Sequence, residues 1–376
     1  MPDQSEFITH FEVSNFKKFD HLVVNDIGQF NLITGDNNVG KTSLLEALSL
    51  NLKSNNDLVF KFHSLLCDQH IHHHAENKYS KNPIIPKFNY FNLLKNKEEL
   101  PLTLVFNSQK VILTDIDYFR LKEEDKDLFV STPYFMDGIE YKYWIRIDKS
   151  NVKPEIQFMY EDDYYREDRK FESKLYKPIV KFRNFYERDL NKFIKELSQI
   201  ELLNLTAFDY EEIVSIIKIV IIPDIIAINI QKINNDSDEM IFIATKSSKG
   251  LFVNVTRFGD GVQKIIRYLI EVYYAKKNGF NYFLIDEIDT GIHFSRLKIF
   301  WKEFLMLATK LNIQIFATTH SQECIEAYAQ ALEELGMEEK GRLIEMEEHN
   351  GKVYASTLSY ENIKAGLISN TNLRGA

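Results

Sequence analysis

The chain has 376 residues, 44% of them hydrophobic and 27% charged, which gives room for one large or two ordinary globular domains and excludes disordered and fibrous classes. Two cysteines, Cys67 and Cys324, are too few for a disulfide framework or a cysteine-rich metal site, and without a basic-then-apolar leader the reading is a cytoplasmic protein. Fifty-five acidic against 46 basic residues give a net charge of −9, so any nucleic-acid contact has to come from a local basic patch.

In chain order, the first 50 residues read as strands around 7–11, 22–24 and 30–33, running into Gly35. From 42 to 52 the apolar residues Leu44, Leu45, Ala47, Leu48 and Leu52 fall at helical spacing among good helix formers. Between about 53 and 205 the chain becomes rich in Phe, Tyr, Asn, Lys and Glu and is punctuated by Pro83, Pro86, Pro101, Pro133 and Pro154, the mark of an inserted lobe. Alternation predicts antiparallel strands there at 102–106, 111–114 and 141–147, and helical spacing runs over 176–205. The oily stretch 213–233 contains Lys218, Pro223, Asp224 and Gln231, so it reads as core and not as a membrane span. Beyond it, strands are predicted at 225–233, 240–245, 251–255, 282–285 and 313–317, with helices at 261–277, 295–311 and 322–335. A hairpin around Asn350-Gly351, with arms at 342–347 and 352–358, precedes a tail. The expected fold class is α/β: a bilobed β/α unit in two parts, 1–52 and 206–376, split by a mixed antiparallel β and helical lobe at 53–205.

Gly35-Asp36-Asn37-Asn38-Val39-Gly40-Lys41-Thr42 satisfies G-x-x-x-x-G-K-[ST] between a predicted strand and a predicted helix. Glycines there let successive backbone N–H groups point inward, and the helix N-terminus adds its positive end, so the loop and the following Ser43 form a nest for the phosphates of a nucleotide. Lys41 places an ammonium among those phosphates, and Thr42 offers a hydroxyl to Mg²⁺, a hard cation that prefers oxygen. Phe283-Leu284-Ile285-Asp286-Glu287 is a buried-strand pattern ending in two carboxylates, at the end where open α/β sheets keep their sites. Adjacent strand residues point to opposite sides, so Asp286 is assigned to the metal and Glu287 to the attacking water.

Together these motifs resemble an ABC-type ATPase head of the SMC, RecF and OLD branch, a P-loop NTPase. Asn15-Phe16-Lys17-Lys18-Phe19 is similar to the N-F-[KR]-x-F strand end of such heads, which implies that Asn15, Phe16 and Lys17 lie beside the nucleotide. Asp286-Glu287 is followed by Ile288-Asp289-Thr290-Gly291-Ile292-His293, resembling the D-loop run of that branch. Phe258-Gly259-Asp260-Gly261-Val262-Gln263 stands where a signature motif should, although it lacks the serine of L-S-G-G-Q and puts Asp260 between Gly259 and Gly261. Thr318-Thr319-His320-Ser321 is similar to the segment that carries the switch histidine.

The resemblance implies an enzyme that hydrolyses ATP with Mg²⁺, through Lys41, Glu287 and His320. It also implies a homodimer closed on two ATP molecules, with Gly259 and Gly261 presented to the partner's nucleotide. It implies a separately encoded effector and a role in nucleic-acid surveillance, genome maintenance or antiphage defence, with nucleic acid as a candidate ligand and no membrane. An ATP-gated scaffold with negligible turnover is the competing reading, supported by Asp260; a transporter motor subunit is a third. After His320 only 56 residues remain, too few for a Toprim nuclease domain, so nucleic-acid cleavage would fall to another polypeptide.

Two further features read as ordinary surface. His70-Ile71-His72-His73-His74 has no second Cys/His cluster to close a tetrahedral site. The basic and aromatic stretch 177–195 interleaves Glu187 and Asp189, as a helix with buried rings and solvated lysines does.

Overall fold

The structure is a computed structural model; it describes residues 7–49, 102–107, 109–114, 128–136, 139–147, 155–161, 205–233, 238–277, 281–369 and 373. The elements begin with strands β1 (Phe11–Phe16), β2 (Phe19–Val24) and β3 (Phe30–Gly35), then helix α1 (Lys41–Leu48). Strands β4 (Leu102–Phe106), β5 (Gln109–Thr114), β6 (Leu128–Met136), β7 (Ile139–Ile147) and β8 (Glu155–Glu161) follow. Next come α2 (Ala207–Val220), β9 (Ile225–Ile233), β10 (Asp238–Thr245), β11 (Phe252–Asn254) and α3 (Asp260–Lys277). The chain continues with β12 (Tyr282–Ile285), α4 (Phe294–Leu311), β13 (Gln314–Thr318), α5 (Gln322–Leu335), β14 (Gly341–His349), β15 (Lys352–Ser359) and α6 (Tyr360–Ile368).

The central sheet has the order β12-β13-β3-β14-β15; its first four strands are parallel and β15 is antiparallel to β14. Parallel strands are covered on both faces, which is why Phe30 to Gly35 and Tyr282 to Ile285 are buried throughout and read as apolar runs without polar alternation. Alternation survives in which core each residue joins. Phe283, Ile285, Ile315, Ala317, Phe30, Leu32 and Leu343 face one core with the helices after α1, while Tyr282, Leu284, Phe316, Ile33, Ile344 and Met346 face the other with α1 and β1.

Local chemistry fixes the ends of the helices. Thr206 and Asp209 form a reciprocal capping box at α2, Ser321 caps α5 by accepting from the Cys324 N–H, and Gly336 ends α5 in the left-handed conformation at φ 62°. The stretch 213–233, expected as core, splits at Pro223 into α2 and β9. In α2, Ile213, Ile216, Ile217 and Val220 repeat at three and four residues on one buried face, each worth about 1.5–3 kcal/mol. No described helix is long and apolar enough to cross a membrane.

A second sheet, β2-β1-β4-β5-β8-β7-β6, is antiparallel except for β5 beside β8. Here β4, from the stretch 53–205, pairs with β1 in the register Phe11 opposite Phe106, and the Asn107 N–H donates to the His10 carbonyl at 2.8 Å. The rings of Phe11 and Phe106 lie 5.0 Å apart. Part of the stretch expected as an insertion therefore continues the sheet that the N-terminal strands begin. A third sheet, β11-β10-β9, is antiparallel. The histidine run and, up to residue 204, the helix expected over 176–205 lie outside the described residues.

Candidate nucleotide site

The site forms where β3 ends and α1 begins. Gly35 has φ 142°, Asn38 φ 64° and Gly40 φ 114°, so the chain curls in a way that suits glycine and asparagine. Packing also demands glycine: a Cβ on Gly35 would sit 2.3 Å from the Met346 carbonyl oxygen of β14, and one on Gly40 2.9 Å from the Phe19 ring. Val39 is buried and pins the loop, while Asp36, Asn37 and Asn38 remain exposed. Lys41 is buried, and its ammonium donates to the carbonyls of Gly35 at 2.7 Å and Asp36 at 2.8 Å. Burial lowers its pKa to about 8, with Asp286, Asp36 and Glu287 opposing the shift. A buried cation resting on carbonyl oxygens is poised for a stronger anionic partner.

The acidic strand end meets this loop directly. Thr42 Oγ1 donates to Asp286 Oδ2 at 3.0 Å, so the first turn of α1 and the end of β12 share a hydrogen bond although β13 lies between β12 and β3. Thr318, at the end of that intervening strand, donates to Asp286 Oδ1 at 2.5 Å and accepts from the Glu287 N–H at 2.8 Å. Glu287 is exposed, has φ 48°, and its Oε2 accepts from Thr290 Oγ1 at 3.2 Å. Thr319 donates to Asp289 Oδ1 at 2.6 Å. His320 is exposed just beyond; its pKa is lowered by burial of part of the ring and by the Lys41 charge, against the pull of Glu287, Asp289 and Asp286. A neutral imidazole at neutral pH can donate from one nitrogen and accept at the other.

The helix α3 starts beside this centre. Gly259 and Asp260 are exposed, whereas Gly261 is buried with so little clearance that a Cβ would lie 2.3 Å from the Gly291 carbonyl oxygen. Lys264, one turn in, donates its ammonium proton to the Glu287 carbonyl at 2.8 Å. His293 caps α4 by accepting from the Ser295 N–H at 3.3 Å. At the other edge, Asn15 and Lys17 have φ 56° and 48°, Asn15 and Phe16 are buried, and Lys17 pairs with Glu46 of α1. Lys18 reaches across to the Asn38 carbonyl, so this turn braces the phosphate loop. Ser43 is half-buried on α1, one residue after Thr42.

Thr42 and Asp286 fit Mg²⁺, which takes one or two protein oxygens and completes its shell with phosphate oxygens and water. The described residues contain no group of three or more His, Cys, Asp or Glu that would form an all-protein metal cage. Sequence reasoning misses Lys264 and names Thr318 and Thr319 only as part of the segment that carries His320; their polar partners become visible once β13 is placed between β3 and β12.

The family described as "AAA domain, putative AbiEii toxin, Type IV TA system" matches residues 97–326, a span that holds α3, β12 and β13 and begins after the phosphate loop. The chain is 24% identical over 393 aligned positions to an "ATP/GTP phosphatase" of Helicobacter pylori, covering 98% of this chain and 100% of that protein. Among solved structures it is similar to an SMC head domain from Thermotoga maritima, at 10% identity and TM-score 0.40, covering 93% of this chain and 98% of that one. It is likewise similar to a Pyrococcus furiosus Smc head with an extended coiled coil bound to the C-terminal domain of ScpA, at 12% identity and TM-score 0.45, covering 97% and 98%.

Proposed function

We propose, from the premise that the chain belongs to the AAA-domain family whose description names AbiEii toxins and type IV TA systems, that this P-loop ATPase binds Mg-ATP at the β3–α1 corner and hydrolyses it. The observation that carries the reading is the 3.0 Å bond between Thr42 and Asp286, which joins a phosphate loop and an acidic strand end that are 244 residues apart in sequence. The name of the Helicobacter pylori relative, an ATP/GTP phosphatase, supports the same chemistry.

In this reading the N–H groups of Asp36 to Thr42, with Gly35 and Gly40 shaping the turn and Ser43 continuing it, cradle the phosphates. Lys41 exchanges its two carbonyl partners for the β- and γ-phosphate oxygens, a charge-assisted contact stronger than the one it gives up. Thr42 and Asp286 hold Mg²⁺, which supplies charge neutralisation on the phosphates when bound. Glu287 releases Thr290, orients the attacking water and takes its proton. His320 hydrogen-bonds the γ-phosphate from the end of β13. The turn of Asn15, Phe16 and Lys17 flanks the nucleotide and steadies the loop. Gly259 and Gly261 face the nucleotide of a second copy, so ATP closes a homodimer and its loss reopens it. Nucleotide state then passes to a separately encoded effector, in nucleic-acid surveillance, genome maintenance or defence, a setting that fits the family's description. Asp260, exposed between those glycines, favours the second reading, a nucleotide-gated scaffold with negligible turnover.

Calorimetry with Mg-ATP, phosphate release and sedimentation of Lys41→Ala and Glu287→Gln test the proposal. Lys41→Ala loses about 30-fold or more in ATP affinity, and Glu287→Gln keeps affinity, slows hydrolysis about 100-fold and accumulates as a dimer. Hydrolysis at the parental rate in both variants sinks the reading; tight binding without turnover in the parent selects the scaffold.

A further inference from the structure

We propose that Thr318 is a positioning residue whose single hydroxyl sets both members of the acidic pair, fixing Asp286 toward Thr42 and Glu287 in the conformation from which it meets water. The inference rests on the ATPase reading above.

Thr318 is fully buried, and its hydroxyl is used in both directions: it donates to Asp286 Oδ1 at 2.5 Å and accepts from the Glu287 N–H at 2.8 Å. Asp286 and Glu287 lie just past the end of β12, where the expected strand alternation no longer applies, so nothing in the backbone of β12 alone coordinates the two carboxylates. One hydroxyl on the adjacent strand does. With Oδ1 of Asp286 tied to Thr318, Oδ2 is left to face Thr42, 3.0 Å away. This divides the two carboxylate oxygens between an internal anchor and the loop that carries the phosphates.

Glu287 needs an anchor more than Asp286 does. At φ 48° it sits in the left-handed region, which a non-glycine residue adopts only where its surroundings over-determine it. The surroundings here are specific. The Glu287 N–H is held by the Thr318 hydroxyl, the next N–H, of Ile288, donates to the Thr318 carbonyl at 3.0 Å, and the Glu287 carbonyl accepts from Lys264. Two of these three restraints come from Thr318. Valine at 318 keeps the shape and β-propensity and leaves the Glu287 N–H without its acceptor; serine keeps the hydroxyl and drops only a methyl.

Thr318→Val and Thr318→Ser, measured beside the parent and Lys41→Ala, test the inference with three readouts. Without nucleotide or metal, amide hydrogen exchange in the peptide containing Glu287 is faster by about tenfold in the valine variant and near parental in the serine variant. The magnesium concentration for half-maximal binding of a non-hydrolysable ATP analogue rises about three- to tenfold with valine, because Asp286 is free to turn. For hydrolysis, kcat falls roughly 10- to 100-fold with KM within about threefold, and serine restores most of it. Parental exchange, magnesium requirement and kcat in Thr318→Val overturn the inference, as does a serine variant impaired as badly as valine, which would assign the effect to packing. If the parent and Lys41→Ala hydrolyse ATP alike, the ATPase reading has failed and this inference falls with it; a silent Lys41→Ala beside a normal Thr318→Val condemns the Thr318 assignment alone.

Discussion

The phosphate-loop corner and the start of α3 are both glycine-bearing approaches to a helix, and they are built in opposite ways. At the first, the chain's own atoms press on every side: β14 against Gly35, Phe19 against Gly40, and two carbonyls on the buried Lys41 ammonium. At the second, Gly259 and Asp260 are exposed, a Cβ on Gly259 would meet no atom within 4 Å among the described residues, and contact begins only at Gly261. One corner is preorganised by its own fold, whereas the other leaves its backbone exposed. A nucleotide held by one chain and covered by a second needs one corner of each kind.

The strongest way to break this contrast is to add a methyl where the fold leaves no room. Gly35→Ala sets a Cβ 2.3 Å from a backbone oxygen of a central strand at a φ that side chains rarely adopt. The expected cost is about 2–4 kcal/mol in urea unfolding, with loss of Mg-ATP binding by calorimetry. Unchanged stability and affinity would mean that the loop is not the rigid cradle described here.

At the other corner the same addition separates structure from function. Gly259→Ala has space, so stability stays within about 0.5 kcal/mol and ATP binding to the single chain is parental. Under the proposed dimer, turnover nevertheless falls, because the added methyl lies where a second copy would close. Gly261→Ala, 2.3 Å from the backbone carbonyl oxygen of Gly291, costs about 1–3 kcal/mol in the same unfolding experiment. If Gly259→Ala hydrolyses ATP as the parent does across the same range of protein concentrations, the start of α3 is not a nucleotide-facing surface.

The two corners also differ in how far they could be read from the sequence. The phosphate loop was legible because its chemistry is local: glycines at fixed spacing, a lysine, a threonine and a helix directly after, which the structure starts at Lys41. Strand β12 and helix α5 were equally legible, their apolar periodicity ending at Glu287's neighbour Asp286 and at Gly336. Elsewhere the signal was overridden. The first strand was expected at 7–11 and lies at Phe11–Phe16, because its register is set by pairing with β2 and β4, and the approach at Thr9 is held by Asn107 instead. Helix α2 is not assigned from the sequence, where its isoleucines fall in an oily stretch read only as core, although the Thr206-Asp209 capping box marks its start. Strands β6 and β8 and helix α6, in a stretch taken as a tail, were likewise unforeseen. The role of Thr318 is beyond reach, since both its partners lie just past the end of another strand more than thirty residues earlier, and no spacing rule reports which strand falls beside which.

The smallest effect concerns whether the closed region extends past the phosphates. Cys324, in the first turn of α5, is fully buried, and burial, with the charge of Asp289 adding to it, pushes its thiol up to about 12. Because the raised value leaves the neutral form favoured well above neutrality, only about one molecule in ten thousand carries the thiolate at pH 8. Iodoacetamide should therefore modify Cys324 in the native protein at least about 100-fold more slowly than in urea, scored by mass on the peptide that contains it and so independently of Cys67. ATP should leave that rate unchanged if segment 318–321 moves without lifting α5, since the Ser321 hydroxyl ties the two at the Cys324 N–H, 3.1 Å away. Rapid native labelling would show that α5 opens from the sheet, and the rigid side of the comparison would then stop at β13.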